Sequence, residues 1–320
     1  MSSTHHSVGV MLPRDLPPHD FLPFARRAEE LGFHDLWVVE DLGYRGGIAQ
    51  AAAALAATSR IRVGIGLLPV GSRNPGFAAM EIATLAQLFP GRLDVGVGHG
   101  MPHWMRSVGA WPASPLTLLE EYITAVRELL RGKNVQRDGR YVRLDGVGLE
   151  PSAIPSAVPD VLAGVRGPKS LAVSGRVADG TILAEPTAPE YVREALGHIA
   201  SHRPHRVVAY NVAAVDADPA VAIAAVRPAL EWIGEPDWSA HIAALPFADA
   251  FRDLRSQCTS RTEFTRRMPD AWVAELALAG TPEQVRARLT ALREAGVTNS
   301  VLVPVGENPL VTLTSLASVL

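Results

Sequence analysis

Several side chains suited to proton chemistry follow short apolar runs of strand type. Glu40, Asp41, Tyr44 and Arg45 come after DLWVV (35–39), His99 and His103 after RLDVGV (92–97), and Glu185 after GTILA (180–184). An imidazole with its ordinary pKa of about 6.5 suits acid or base work at neutral pH, so His99 is the first candidate, with Glu40 and Asp41 the next bases. A hydrogen bond from His99 to a bound molecule, with no proton transfer, is the other reading. A further segment, GVRGPKSL (164–171), suits an anion. Gly167 lets backbone approach, Pro168 fits the first helical position, the following N–H groups are free, and Lys169 and Ser170 add a charge and a hydroxyl. The bland reading is a loop-to-helix junction with Lys169 in solvent.

The strands that would position these groups are glycine-rich. RVGIGLL (62–68) and RLDVGV place Gly64, Gly66, Gly96 and Gly98 where side chains ordinarily pack. Either something large and flat, such as a planar ring system, approaches the backbone there, or small residues fit the taper of a barrel core.

Further runs at 7–12, 160–164, 206–215 and 300–305 bring the strand count to eight, with helical patterns between them. On one helix (115–131) Leu119, Tyr122, Ile123, Val126 and Leu130 share a face, and Gly132 closes it. On another, Thr281-Pro282-Glu283-Gln284 forms a capping box and Gly296 is the stop. EELGFHDLWVV (29–39) echoes REAGVTNSVLVPV (293–305), each a helix end, glycine cap, tight turn and buried strand. Apolar strands alternating with helices predict a parallel sheet, and eight of them predict a closed (β/α)8 TIM barrel of the α/β class. No linker divides the chain, so 1–320 reads as one domain, with insertions at about 133–159 and 219–275 placed at the C-terminal face.

Composition and missing motifs narrow the function. With 48% hydrophobic and 20% charged residues and a net charge of −3, the chain is globular and has no basic stripe for nucleic acid. A lone Cys258 excludes an internal disulfide and fits a reducing compartment. The start MSSTHHSVGVMLP is no signal peptide and the run IAQAAAALAA is too short for a bilayer, so a cytoplasmic protein with no membrane role is expected. GVGHGM is not a dinucleotide fingerprint because Met101 stands where glycine is needed. No P-loop lysine, GxSxG elbow or metal-ligand spacing occurs, and no metal is expected.

The blocks EELGFHDLWVVED (29–41), RIRVGIGLLPVGSRNP (60–75), ATLAQLFPGRLDVGVGHG (83–100) and AGVRGPKSLAVSGRVADGTILAE (163–185) resemble the luciferase-like flavin-dependent oxidoreductases, most closely the branch that uses the deazaflavin coenzyme F420. The resemblance implies a tricyclic ring at the C-terminal ends of the strands and hydride transfer at its C5, with a small organic substrate. It implies a non-prolyl cis peptide at Gly66-Leu67 that backs the ring, and cofactor contacts from Gly66, Leu67, Gly98, His99, Gly164, Gly167, Pro168, Lys169, Ser170 and Glu185. Sugar-phosphate dehydrogenases of the family carry Asp-His where this chain has Glu40-Asp41, and an acidic residue near Met101 that is missing here, so that reaction is not expected. A monooxygenase using FMN and O2 is the competing reading, and a cofactor-binding protein without turnover is another. Trp104, Trp111 and Phe77 are pocket walls or plain core, and barrels of this family often pair as homodimers.

Overall fold

The apolar runs pair edge to edge and each barrel strand is followed by a covering helix. In the computed structural model, which describes residues 6–320, the strands are β1 (Ser7–Met11), β2 (Asp35–Val38), β3 (Arg62–Pro69), β4 (Leu93–Gly98), β5 (Val135–Asp138), β6 (Arg143–Val147), β7 (Val161–Gly164), β8 (Gly180–Leu183), β9 (Arg206–Val215), β10 (Leu278–Gly280) and β11 (Asn299–Pro304). The helices are α1 (Phe21–Glu30), α2 (Gly47–Ala57), α3 (Pro75–Leu88), α4 (Pro102–Ser107), α5 (Pro115–Leu130), α6 (Pro168–Val177) and α7 (Pro189–Ile199). The rest are α8 (Pro219–Val226), α9 (Ser239–Ala243), α10 (Ala248–Ser256), α11 (Arg261–Arg267), α12 (Asp270–Leu276), α13 (Pro282–Ala295) and α14 (Pro309–Leu316). Strands β1, β2, β3, β4, β7, β8, β9 and β11 close in that order through parallel pairs, giving a (β/α)8 barrel. Among the described residues no helix is long and apolar enough to cross a membrane.

Local signals explain the elements. The Thr281 side chain and Gln284 make the reciprocal capping box of α13, and Gly296 ends that helix at φ 115°. Its counterpart after α1 is Gly32 at φ 90°, so the two echoing segments deliver β2 and β11 to either side of β1. Segment 219–275 does lie between a strand and its helix, at the C-terminal end of the barrel. There α8 to α12 bury their own cluster, including Phe251, Phe264 and Val273, and β10 lengthens the lip by pairing with Ala213–Val215 of β9. Segment 133–159 needs a refinement. It follows α5, so it starts from the opposite rim, and it is not irregular: β5 and β6 form an antiparallel hairpin. Glu121 of α5 accepts hydrogen bonds from the backbone N–H groups of Arg140, Tyr141 and Val142 at its turn, which fixes the hairpin along the outer wall.

The barrel interior settles what the strand glycines are for. A Cβ on Gly64 would lie 2.3 Å from the Trp37 ring, one on Gly66 2.4 Å from the Tyr210 hydroxyl, one on Gly96 2.4 Å from Ile182 and one on Gly98 2.7 Å from Leu67. The expectation that these glycines make room for a bound planar ring is therefore corrected, because the space is filled by the chain's own side chains. Trp37, Leu162, Ile182, Val208, Tyr210 and Val301 pack as the central plug. The Trp37 indole N–H donates to Asp35, whose other oxygen accepts from Asn299 at 2.7 Å.

Gly64→Ala should therefore overpack the plug and lower stability by about 1–3 kcal/mol. Urea unfolding measures it, and an unchanged midpoint would mean that Trp37 can step aside.

Candidate active site

At the C-terminal mouth the β3 strand breaks register with β4 between Ile65 and Leu68, and the Gly66-Leu67 peptide is cis, as the resemblance implied. Leu67 lies across the mouth: added Cβ atoms on Gly98 and Gly164 would sit 2.7 and 2.3 Å from its Cδ2. Beneath Gly66 stands Tyr210, buried, with a hydroxyl that has no hydrogen-bond partner. Its ring meets Trp37 edge-on at 5.8 Å, so the mouth has a rigid floor with one unspent polar atom.

The loop after β7 turns into α6 at Gly167, with Pro168 at the first turn and no side chain capping the helix. A Cβ on Gly167 would meet nothing within 4 Å. Uncapped N–H groups at a helix start favour an anion. Lys169 is exposed, whereas Ser170 is drawn inward by a 3.1 Å hydrogen bond with His99 Nε2. His99 Nδ1 is buried without a partner, and burial holds the His99 pKa below its ordinary value. The structure thus ties His99 to the anion loop rather than to the rim carboxylates.

Glu40 and Asp41 stand elsewhere on the rim and are both engaged. Glu40 accepts from Arg73 at 2.8 and 3.1 Å and from the Gly47 N–H at 2.7 Å, which anchors the start of α2. Asp41 pairs with Arg14 at 2.8 Å, and Arg14 also covers the Tyr44 ring at 4.9 Å. Arg45 donates to the carbonyls of Arg14 and Leu16. These contacts make the two carboxylates clasps between loops, a role their positions in the sequence did not signal because the partners come from other segments. Phe77 is 67% exposed on α3 and is not core; Trp104 and Trp111 are half-buried in the β4–α5 connection.

Glu185 is different. The Glu185-Pro186 peptide is cis, the Glu185 carbonyl accepts from Trp238 Nε1 at 3.1 Å, and His241 Nδ1 lies 3.0 Å from the Pro186 carbonyl. Arg166 stacks on Trp238 at 4.9 Å and donates to the Asp237 carbonyl, so the insertion is strapped to the rim at β7 and β8. Burial raises the Glu185 carboxyl pKa above its ordinary value. Arg73, Tyr210, Arg166 and Trp238 are site residues that sequence reasoning missed. Beside the anion loop a cavity of about 660 Å³ opens between α6, α7 and the insertion, with Arg166, Pro168, Tyr191, Arg252 and Arg255 in its wall. It lies outside the barrel mouth. Among the described residues no group of three or more His, Cys, Asp or Glu side chains is placed to hold a metal ion.

The family described as luciferase-like monooxygenase matches residues 1–299. The 5,10-methylenetetrahydromethanopterin reductase of Methanolobus tindarius is 27% identical over 301 residues, covering 89% of this chain and 90% of that protein. The F420-dependent glucose-6-phosphate dehydrogenase of Microbacterium testaceum is 31% identical over 191 residues, 56% of each chain. Among solved structures, the coenzyme F420-dependent tetrahydromethanopterin reductase of Methanopyrus kandleri superposes with a TM-score of 0.81 at 22% identity, covering 98% of this chain and 97% of that one, a likeness of fold.

The strap yields a pH dependence. His241 is fully buried against Tyr191, at 4.3 Å between rings, and burial pushes its pKa down to about 3. An unfolded histidine takes up its proton near pH 6.5. The unfolded chain therefore binds the extra proton first, and stability falls as pH drops below that point, with a limiting slope of about 1.4 kcal/mol per pH unit. His241→Phe keeps the ring contact and should flatten this slope between about pH 6 and 4 in denaturant titrations; an equal slope in both proteins would contradict it.

Proposed function

The chain belongs to the luciferase-like monooxygenase family, and from that premise we propose that it is an oxidoreductase using coenzyme F420 to exchange a hydride with a small organic substrate. The observation that supports the proposal is the meeting of two features at one barrel mouth, an apolar floor and an uncapped helix start. The floor of Gly66, Leu67 and Tyr210 lies on one side, and the uncapped start of α6 lies on the other, with His99 bridging to Ser170. The residues fit such a group on their own terms: Gly167 faces open space, and His99 Nδ1 is a buried polar atom still lacking a partner.

In this reading the flat apolar surface of Leu67 backs the ring, flanked by Gly98 and Gly164. The N–H groups of Lys169 and Ser170 hold the phosphate of the cofactor's side chain, aided by the helix dipole. His99, kept neutral by burial, positions the segment between ring and phosphate as a hydrogen-bonding group. In the adjoining cavity Arg252 and Arg255 are paired with Asp249 and Glu235. When bound, the deazaflavin supplies or accepts the hydride at C5. The F420-dependent glucose-6-phosphate dehydrogenase relative supports this cofactor; a monooxygenase using reduced FMN with O2 stays the second reading, in keeping with the family's description as monooxygenases. The proposal also places the chain in one domain and in the cytoplasm, acting on a small molecule.

Titration of the purified protein with each cofactor tests this. F420 should bind at least tenfold more tightly than FMN, a difference of about 1.4 kcal/mol; FMN binding alone would move the assignment to the monooxygenase. Gly167→Val should weaken F420 binding about tenfold or more, about 1.4 kcal/mol. Its thermal midpoint should be unchanged, because the added side chain enters open space at an ordinary φ of −90°. His99→Ala should lower affinity more than turnover at saturation, since its ring is held at the anion loop.

A further inference from the structure

Leu171 of α6 and Tyr191 of α7 belong to the barrel's own core, whereas Ile233, Ile242, Phe251 and Cys258 belong to the separate cluster of the insertion. All six are buried, yet the two clusters do not close on each other: they line the cavity of about 660 Å³ between barrel and insertion. Protein interiors leave few voids larger than a water, because side chains that line a void forfeit dispersion contacts on one side. A space of this size falls within the roughly 300–1,000 Å³ of small-molecule pockets. We propose that the cavity is a second binding site, separate from the barrel mouth, for a neutral and largely apolar small molecule that wedges between barrel and insertion.

The charged side chains of the wall decide the class of molecule. Arg255 pairs with Glu235 at 2.9 Å, Arg252 pairs with Asp249, and His198 stands 3.8 Å from Glu194. Arg166 donates to the Asp237 carbonyl at 3.1 Å and lies over the Trp238 ring. Each of these groups is engaged within the protein, so an incoming ion would shed its water and gain a partner only by taking one from another residue. Burying a charge without a partner is costly, and the cavity therefore selects against ions. A neutral chain or ring covers the apolar wall at no such cost.

Two wall residues are also part of the strap. The Tyr191 hydroxyl donates to the Arg166 carbonyl at 2.9 Å, and the Tyr191 ring packs on His241, whose Nδ1 lies 3.0 Å from the Pro186 carbonyl. An occupant packs against the groups that tie the insertion to the β8 rim, and it does so from outside the mouth. The site goes beyond the cofactor reading and does not rest on it.

Equilibrium dialysis of the full chain tests this with decanol, decanoate and decylammonium, probes that share a chain and differ in charge. Decanol should bind saturably at a single site, and the two ions at least about tenfold more weakly. Ala243 lines the cavity and is exposed at the end of α9, so Ala243→Trp should fill the space from its edge. Decanol binding should weaken about tenfold or more in that variant, with the thermal midpoint of the free protein unchanged. Cys258, the single cysteine of the chain, gives a readout that needs no variant. Decanol at about ten times its Kd should slow alkylation of Cys258 by N-ethylmaleimide about tenfold. No saturable binding, equal binding of the three probes, unchanged affinity in a folded Ala243→Trp, or a Cys258 that bound decanol leaves unprotected overturns the proposal. F420 should neither displace decanol nor protect Cys258; if it does, the cavity belongs to the cofactor site, and this proposal falls while the cofactor reading stands. A protein that binds decanol but not F420 supports this site and ends the cofactor reading instead.

Discussion

The packing of one indole against one glycine governs this barrel. Trp37 occupies the axis because Gly64 offers no Cβ, and the indole N–H is held by Asp35, itself fixed to Asn299 of β11. Three strands that are not all neighbours are thereby set relative to each other. Once Trp37 is fixed, Tyr210 can stand edge-on beside it and reach Gly66, and the next layer up is bare enough for Leu67 to lie over Gly98 and Gly164. A larger residue at any of these four glycines would push a core side chain up into the mouth or hold the strands apart, so the floor of the site is a consequence of how the core is filled.

Two carboxylates near the N-terminal rim are fully paired. At the N-terminal rim Asp94 is buried but receives Arg62 at 2.7 Å and Arg206 at 2.8 and 3.0 Å. Burial pushes its carboxyl up, and these guanidinium groups bring it below the ordinary range. Asp179 is likewise satisfied by Arg127 and the Val161 N–H. At the C-terminal rim two buried polar atoms remain without a partner among the described residues, the Tyr210 hydroxyl and His99 Nδ1. Unpaired polar atoms cost stability, and the barrel carries them at both ends, since Asn299 Oδ1 and His205 Nδ1 are likewise without partners at the N-terminal rim.

Much of this was legible in the sequence, for identifiable reasons. Strands apolar on both faces and the Thr281–Gln284 cap are local signals, and local signals fix element type and order. The capacity of Gly167 and Pro168 to start an anion-binding helix is local too. Partnership is not. Glu40 and Asp41 looked free because Arg73 and Arg14 lie on other loops, and no spacing rule links them. The glycines admit two readings in the sequence, ligand space or core packing, and only the barrel's closure says which residues point inward at the same height, Trp37 against Gly64 and Tyr210 against Gly66. The 133–159 segment was misplaced because its prolines and glycines hid a hairpin that the turn contacts to Glu121 stabilise.

The insertion after β9 is the largest addition to the barrel. It reaches the rim through contacts to backbone carbonyls, with Trp238 bonding the Glu185 carbonyl, His241 meeting that of Pro186 and Arg166 donating back to that of Asp237. Bonds to backbone set the position of a loop without prescribing the side chains beside it. Side chains of this segment can therefore vary while the backbone frame around Glu185 stays put. The insertion is thus a helical appendage with its own apolar cluster that meets the rim at backbone carbonyls, so strand ends and insertion can change independently.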